Sequence, residues 1–195
     1  MILWNEDALI GGHAALDFSN TVDDQDKLRE ISRISDWSTF LEWAKVSSMF
    51  SNKQIDALEN EIQQTEIPRL LANIHALRET EYAALSCIVS GEIKPNVAMQ
   101  TLEAGIKTAI NNSSWVLDDI SYKWAVNRDN PHWVIDVLTL SIEDLLRSED
   151  ITKLKECGRC TWMFLNKGRG RGRQWCNMST CGNRAKSASF RSRKQ

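Results

Sequence analysis

Four of the chain's five cysteines fall in one run: Cys157-x2-Cys160, fifteen residues, then Cys176-x4-Cys181. A CxxC turn lets two thiolates approach one ion, and a second pair completes a tetrahedron with Zn–S distances of ~2.3 Å. Four sulfur ligands leave no open coordination position, so such a zinc ion is structural rather than hydrolytic. The segment that carries them is too short to fold on apolar burial alone, and metal binding adds roughly 10–16 kcal/mol of apparent free energy in comparable peptides. Disulfides or a redox CxxC are the alternatives. The first needs an oxidising compartment, and the second usually sits in a βαβ setting that does not precede Cys157.

Positive charge gathers on the same segment. Residues 157–195 hold ten Lys and Arg and no Asp or Glu. Taking these ten from the chain's 24 leaves 14 basic residues in 1–156 against all 26 acidic ones, so a net charge of −2 conceals a divided chain. Arg169, Arg171 and Arg173 alternate with glycine, and Arg184, Lys186, Arg191 and Arg193 follow the last cysteine. Guanidinium groups grip phosphates bidentately or read guanine edges, and each neutralised phosphate releases counterion. These seven residues are the nucleic-acid candidates. A solvated tail, or a module that docks on RNA or protein, are the competing readings. Trp162, Phe164 and Trp175 suit either the finger's small core or base stacking, and the core reading is preferred.

The elements that position this module are mostly helical. Ala14–Phe18 opens a stretch predicted as a strand over about 15–22. Trp37, Phe40, Leu41 and Ala44 form one helical stripe, with Ser35 or Asp36 as its cap. Ser51–Gln54 reads as a capping box before Ile55, Leu58 and Ile62. Pro68 suits a first helical turn, with Leu70, Ile74, Leu77, Leu85 and Ile88 following until Gly91. Ala98, Leu102, Ile106 and Ile110 make a further helix. Residues 115–126 change period and predict a hairpin around Asp118-Asp119. Asn130-Pro131 starts a helix whose Trp133, Val134, Val137, Leu138, Ser141 and Leu145 face inward, and 148–156 is a charged connector.

Within the finger, Cys157 and Cys160 make a knuckle, Thr161–Phe164 and Arg173–Trp175 pair as a hairpin, and a helix follows Cys181. That order describes a treble clef. The same residues carry a resemblance. Cys157, Cys160, Trp162, Phe164, Arg173, Trp175, Cys176, Met178, Cys181, Gly182, Asn183, Arg184 and Lys186 stand as in the CGNR zinc finger. Asn166 departs from the Asp usual there. Residues 15–21 (ALDFSNT) and 76–79 (ALRE) resemble the ABATE domain that usually precedes this finger. The resemblance implies a stress-induced transcription regulator.

The reading is an α+β chain: a mostly helical domain over 1–150 with a few short strands, and a treble-clef finger over 151–195. Its expected cofactor is structural Zn2+, and its expected partner is double-stranded DNA, with RNA or protein as the rival. Asn20 and Thr21 at a predicted strand end, with Arg78, are candidates for a small-molecule effector site. A homodimer suits a palindromic target. His13, His75 and His132 lack metal spacing and no nucleophile–base pair is legible, so no enzyme is expected. Cys87 reads as a buried small hydrophobe. MILWNEDALIGG lacks the pattern of a signal peptide and no apolar run approaches ~20 residues, so a cytoplasmic location is expected, nucleoid-associated if the source is bacterial.

Overall fold

The computed structural model describes residue 4 and residues 8–24, 27–92, 96–168 and 172–192. The chain forms two compact units, Met1–Ser47 with Glu149–Gln195, and Ser48–Ser148. This partition does not follow the linear boundary expected at residue 150. The first 47 residues share a unit with the finger, because their hydrogen bonds run to residues 161–173.

In the helical unit, α3 (Asn52–Asn60) starts where Ser51 and Gln54 cap each other's backbone N–H. Helix α4 (Ile67–Ser90) carries proline in its first turn and stops at Gly91, whose φ of 73° only glycine adopts without cost. Asn96 caps α5 (Val97–Asn111) by accepting the Met99 N–H at 2.7 Å. Strands β3 (Ser113–Asp118) and β4 (Ser121–Val126) form the expected hairpin, in register from Ser113↔Val126 to Asp118↔Ser121. Helix α6 (Trp133–Arg147) buries Trp133, Val134, Val137, Leu138 and Leu145 as its spacing predicted, while Ser141, expected on the same face, is only half-buried. Helices α4, α5 and α6 pack against one another. Leu70, Leu77 and Ile88 are not among the buried residues of α4, whose inner face is Ile74, Arg78, Glu81, Ala84 and Leu85. Cys87 is half-buried, not enclosed as expected.

The other unit begins with a correction. Ala14–Ser19 is a short helix, α1, where a strand over 15–22 was predicted. His13 Nδ1 accepts the Ala15 N–H at its start, and Asn20 N–H closes on Leu16 O at its end. An apolar run this short has no period that separates helix from strand, so the local caps decide. Strands β1 (Val22–Asp23) and β2 (Ile31–Ser32) then pair, and Asp36 caps α2 (Trp37–Val46). Phe18, Phe40 and Trp43 are fully buried here, with ring centroids 5.5 Å apart for Phe18–Trp43 and 5.8 Å for Phe40–Trp43.

The segment expected as a connector is a 3-10 turn, Glu149–Lys153, followed by β5 (Leu154–Glu156). Strand β5 pairs antiparallel with β6 (Met163–Leu165). The predicted pairing of 161–164 with 173–175 is therefore replaced. Arg173–Trp175 forms no strand; Gln174 O instead accepts the Gly158 N–H at 3.1 Å. A turn, Met178–Gly182, leads into α7 (Asn183–Ser192).

Candidate metal centre

Strand pairing brings the two cysteine pairs together. Cys157 follows β5, Cys160 precedes β6, and the Cys157 N–H donates to Trp162 O at 2.8 Å to close the knuckle. Arg159 N–H points at Cys157 Sγ, 3.4 Å away. Cys181 lies in the turn capped by Asn177, whose Oδ1 accepts the Ser179 N–H at 2.7 Å.

All four sulfurs lie within 4.8 Å of one another, and Cys160 Sγ is 3.6 Å from both Cys176 Sγ and Cys181 Sγ. A tetrahedron with Zn–S bonds of ~2.3 Å has S···S edges of ~3.8 Å, so the donor set fits zinc. All five cysteines are free thiols, and the four gathered ones are buried. Without a cation they cannot all ionise. Cys160 and Cys176 hold the Cys157 thiol below its usual range by hydrogen bonding, while Cys157 pushes the Cys160 and Cys176 thiols up. A divalent ion removes this conflict. The site is a structural zinc site.

Around it, Phe164 is fully buried and Ile10, Trp162 and Trp175 pack against the cysteines. The three aromatics thus fill the core of the finger. Residues 153–194 match the family model of the CGNR zinc finger. A comparison with curated proteins finds no match. The zinc finger domain therefore rests on two independent observations, the family match and the sulfur geometry.

The basic candidates divide. Arg184, Lys186 and Arg191 are exposed on α7, which buries none of its residues. Arg169, Arg171 and Arg193 lie outside the described residues. Arg173 is engaged internally: Nε donates to Trp175 O at 2.9 Å, Nη2 donates to Ile10 O at 3.1 Å, and its guanidinium lies 4.0 Å above the Phe164 ring. Burial lowers its pKa, opposed by the Cys176 and Cys157 sulfurs. Lys167 pairs with Asp150 at 2.7 Å.

The effector candidates do not form one cluster within a unit. Asn20 and Thr21 belong to the metal unit and Arg78 to the helical unit. Asn20 grips the Met163 backbone, the Thr21 hydroxyl donates to Phe18 O, and Arg78 Nε pairs with Glu79 at 2.8 Å. Sequence reasoning missed Asp24, Arg29 and Arg33. The Arg33 guanidinium lies over the Trp4 and Trp162 rings, 4.4 and 5.6 Å from their centroids. With Asp23, Thr180 and Arg184 it lines a cleft of about 380 Å3 beside Cys160, Cys176 and Cys181. No local pattern marks these residues, whose partners lie far along the chain. Among the described residues, no helix is long and apolar enough to cross a membrane.

Proposed function

We propose that this protein is a transcription regulator that binds duplex DNA through its zinc finger, with α7 as the contacting element. One observation carries the reading. Helix α7 buries nothing, contains no acidic residue and presents Arg184, Lys186 and Arg191 to solvent beside a rigid metal site. A helix is the width of the major groove, and cations on it contact phosphates or guanine edges. The chain order of β5, knuckle, β6 and terminal helix supports the treble-clef assignment, with β5–β6 as its strand pair and the knuckle between them. The likeness of residues 15–21 and 76–79 to the ABATE domain supports placement among stress-induced regulators. An effector site at Asn20 or Arg78 would compete with the bonds these residues make to Met163 and Glu79.

Fluorescence anisotropy with duplex and single-stranded oligonucleotides across a salt series tests the proposal. Contact with about five phosphates gives log K against log[salt] a slope near −4.5 for duplex. Preference for single strands would shift the reading to RNA. A flat salt response with protein capture would shift it to a protein-interaction module.

A further inference from the structure

The strand after Cys160 has two amide edges. One faces β5: Cys157 N–H bonds Trp162 O, and Asn166 N–H bonds Lys153 O at 2.9 Å. The other edge carries the N–H groups of Thr161, Met163 and Leu165, and among the described residues no strand lies beside it. Each of the three is nevertheless satisfied at 2.8 Å. Thr161 N–H donates to Asp24 Oδ2, Met163 N–H to Asn20 Oδ1, and Leu165 N–H to Gly11 O. Asn20 also returns its Nδ2–H to Met163 O at 2.8 Å, so one side-chain amide reproduces both bonds of a strand neighbour. Residues 11–24 act as a surrogate third strand, assembled from one carbonyl and two side chains.

This edge cannot be left bare. Met163 and Phe164 are fully buried, and a buried N–H without a partner costs about 1–3 kcal/mol. Further ties converge on the same stretch. The Thr161 hydroxyl also donates to Asp24. Arg29 bridges Thr161 Oγ1 at 3.1 Å and Ser19 O at 2.9 Å, and the Trp162 indole donates to Val22 O at 2.8 Å. Thr161 directly follows Cys160, so these bonds fix the orientation of a metal ligand.

We propose that residues 11–24 are a working part of the zinc site. Asn20 and Asp24 are positioning residues for the CxxC knuckle, and their docking and metal retention form one coupled equilibrium. The outer partners of metal ligands set the ligands' geometry, and such coupling is reciprocal. Metal binding therefore orders the N-terminal segment, and the segment slows metal loss.

The test uses the full chain in two arms. In the first, zinc transfer to a chromophoric chelator is timed. Asn20→Ala and Asp24→Ala should each release zinc at least tenfold faster, and the cobalt(II)-substituted protein should show shifted d–d bands. Asp24→Asn, which keeps an oxygen acceptor, should recover most of the retention. Leu28→Ser, at an exposed position, should match the parent. The second arm needs no variant, so misfolding of a mutant does not block it. Hydrogen exchange on the parent chain, with and without zinc, should show 15–22 and 161–165 losing protection together on metal removal while α4 and α6 keep theirs. Unchanged zinc release in Asn20→Ala, or protection of 15–22 that survives metal removal, would overturn the proposal.

Discussion

The Trp175 ring lies against the backbone of Gly158. A Cβ at position 158 would sit 2.8 Å from Trp175 Cζ3 and 3.4 Å from Cε3. The glycine in the first knuckle is there because the ring occupies the space a side chain would need. Gly158→Ala must displace the ring or the knuckle, and overpacking of this kind costs about 1–3 kcal/mol. Chemical denaturation followed by tryptophan fluorescence should show the loss, with faster zinc release. Unchanged stability would mean that the ring moves freely.

Two arginines of the basic segment should behave oppositely. Arg173→Gln removes two bonds to backbone carbonyls and a cation stacked on Phe164, so thermal stability should fall by about 1–3 kcal/mol. Both arginines are exposed, but Arg184 makes none of these contacts, so Arg184→Gln should leave stability within about 0.5 kcal/mol yet weaken duplex binding and reduce the salt slope by about 0.9. Equal effects of the two on stability would remove the distinction.

Asp17 gives a pH dependence. Burial raises its pKa from 3.8 to about 6, opposed by the hydrogen bond from Gly11 N–H at 2.7 Å. The folded state then holds this proton more tightly than the unfolded chain does. The resulting stabilisation is complete below about pH 4 and is lost as pH rises through about 6. Asp17→Asn keeps an acceptor for Gly11 but does not titrate. Denaturation midpoints of zinc-saturated protein should show the variant gaining on the parent between pH 4 and 6, then levelling off.

In the helical unit, Asp136 Oδ2 accepts Asn112 Nδ2–H at 3.0 Å and Asn130 Nδ2–H at 2.9 Å, joining the end of α5 to the start of α6. Asp136→Ala strands both amides and should destabilise this unit by about 1–3 kcal/mol. Differential scanning calorimetry with zinc analysis checks it: the transition should drop while one zinc per chain remains.

Metal stoichiometry separates the fifth cysteine from the four. Cys87→Ser should keep one zinc per chain, and Cys160→Ser or Cys181→Ser should lose it, as read by elemental analysis after desalting. Cys87 sits on α4 in the helical unit, and the other four converge in the finger.

Most helices were legible because their signals are local. Ser51 and Gln54, Pro68, Gly91, and the stripe through Trp133, Val137 and Leu145 each act within a few residues. The metal ligands were legible because their spacing is itself the chemistry. Helix α1 was not, since Ala14–Ser19 is too short to show a period. The pairing of β5 with β6 was hidden because Leu154–Glu156 sits in a charged stretch. The clasp of Asn20 and Asp24 was hidden for a different reason. Their partners lie 143 and 137 residues away, and a short polar side chain that binds distant backbone looks the same in sequence as one that caps a turn.

The metal unit is built from two separate segments, Met1–Ser47 and Glu149–Gln195, with 48–148 lying between them in sequence. On the ribosome, Asp24 is made 137 residues before Thr161. At roughly 5–20 residues per second, that is a delay of about 7–27 s. The nascent amino-terminal stretch must wait through this interval with Leu16, Phe18 and Val22 in search of cover, while the helices of 48–148 have time to condense. Completion comes only after Cys181 is synthesised, so the zinc supply is consulted once the whole of 48–148 has already been made.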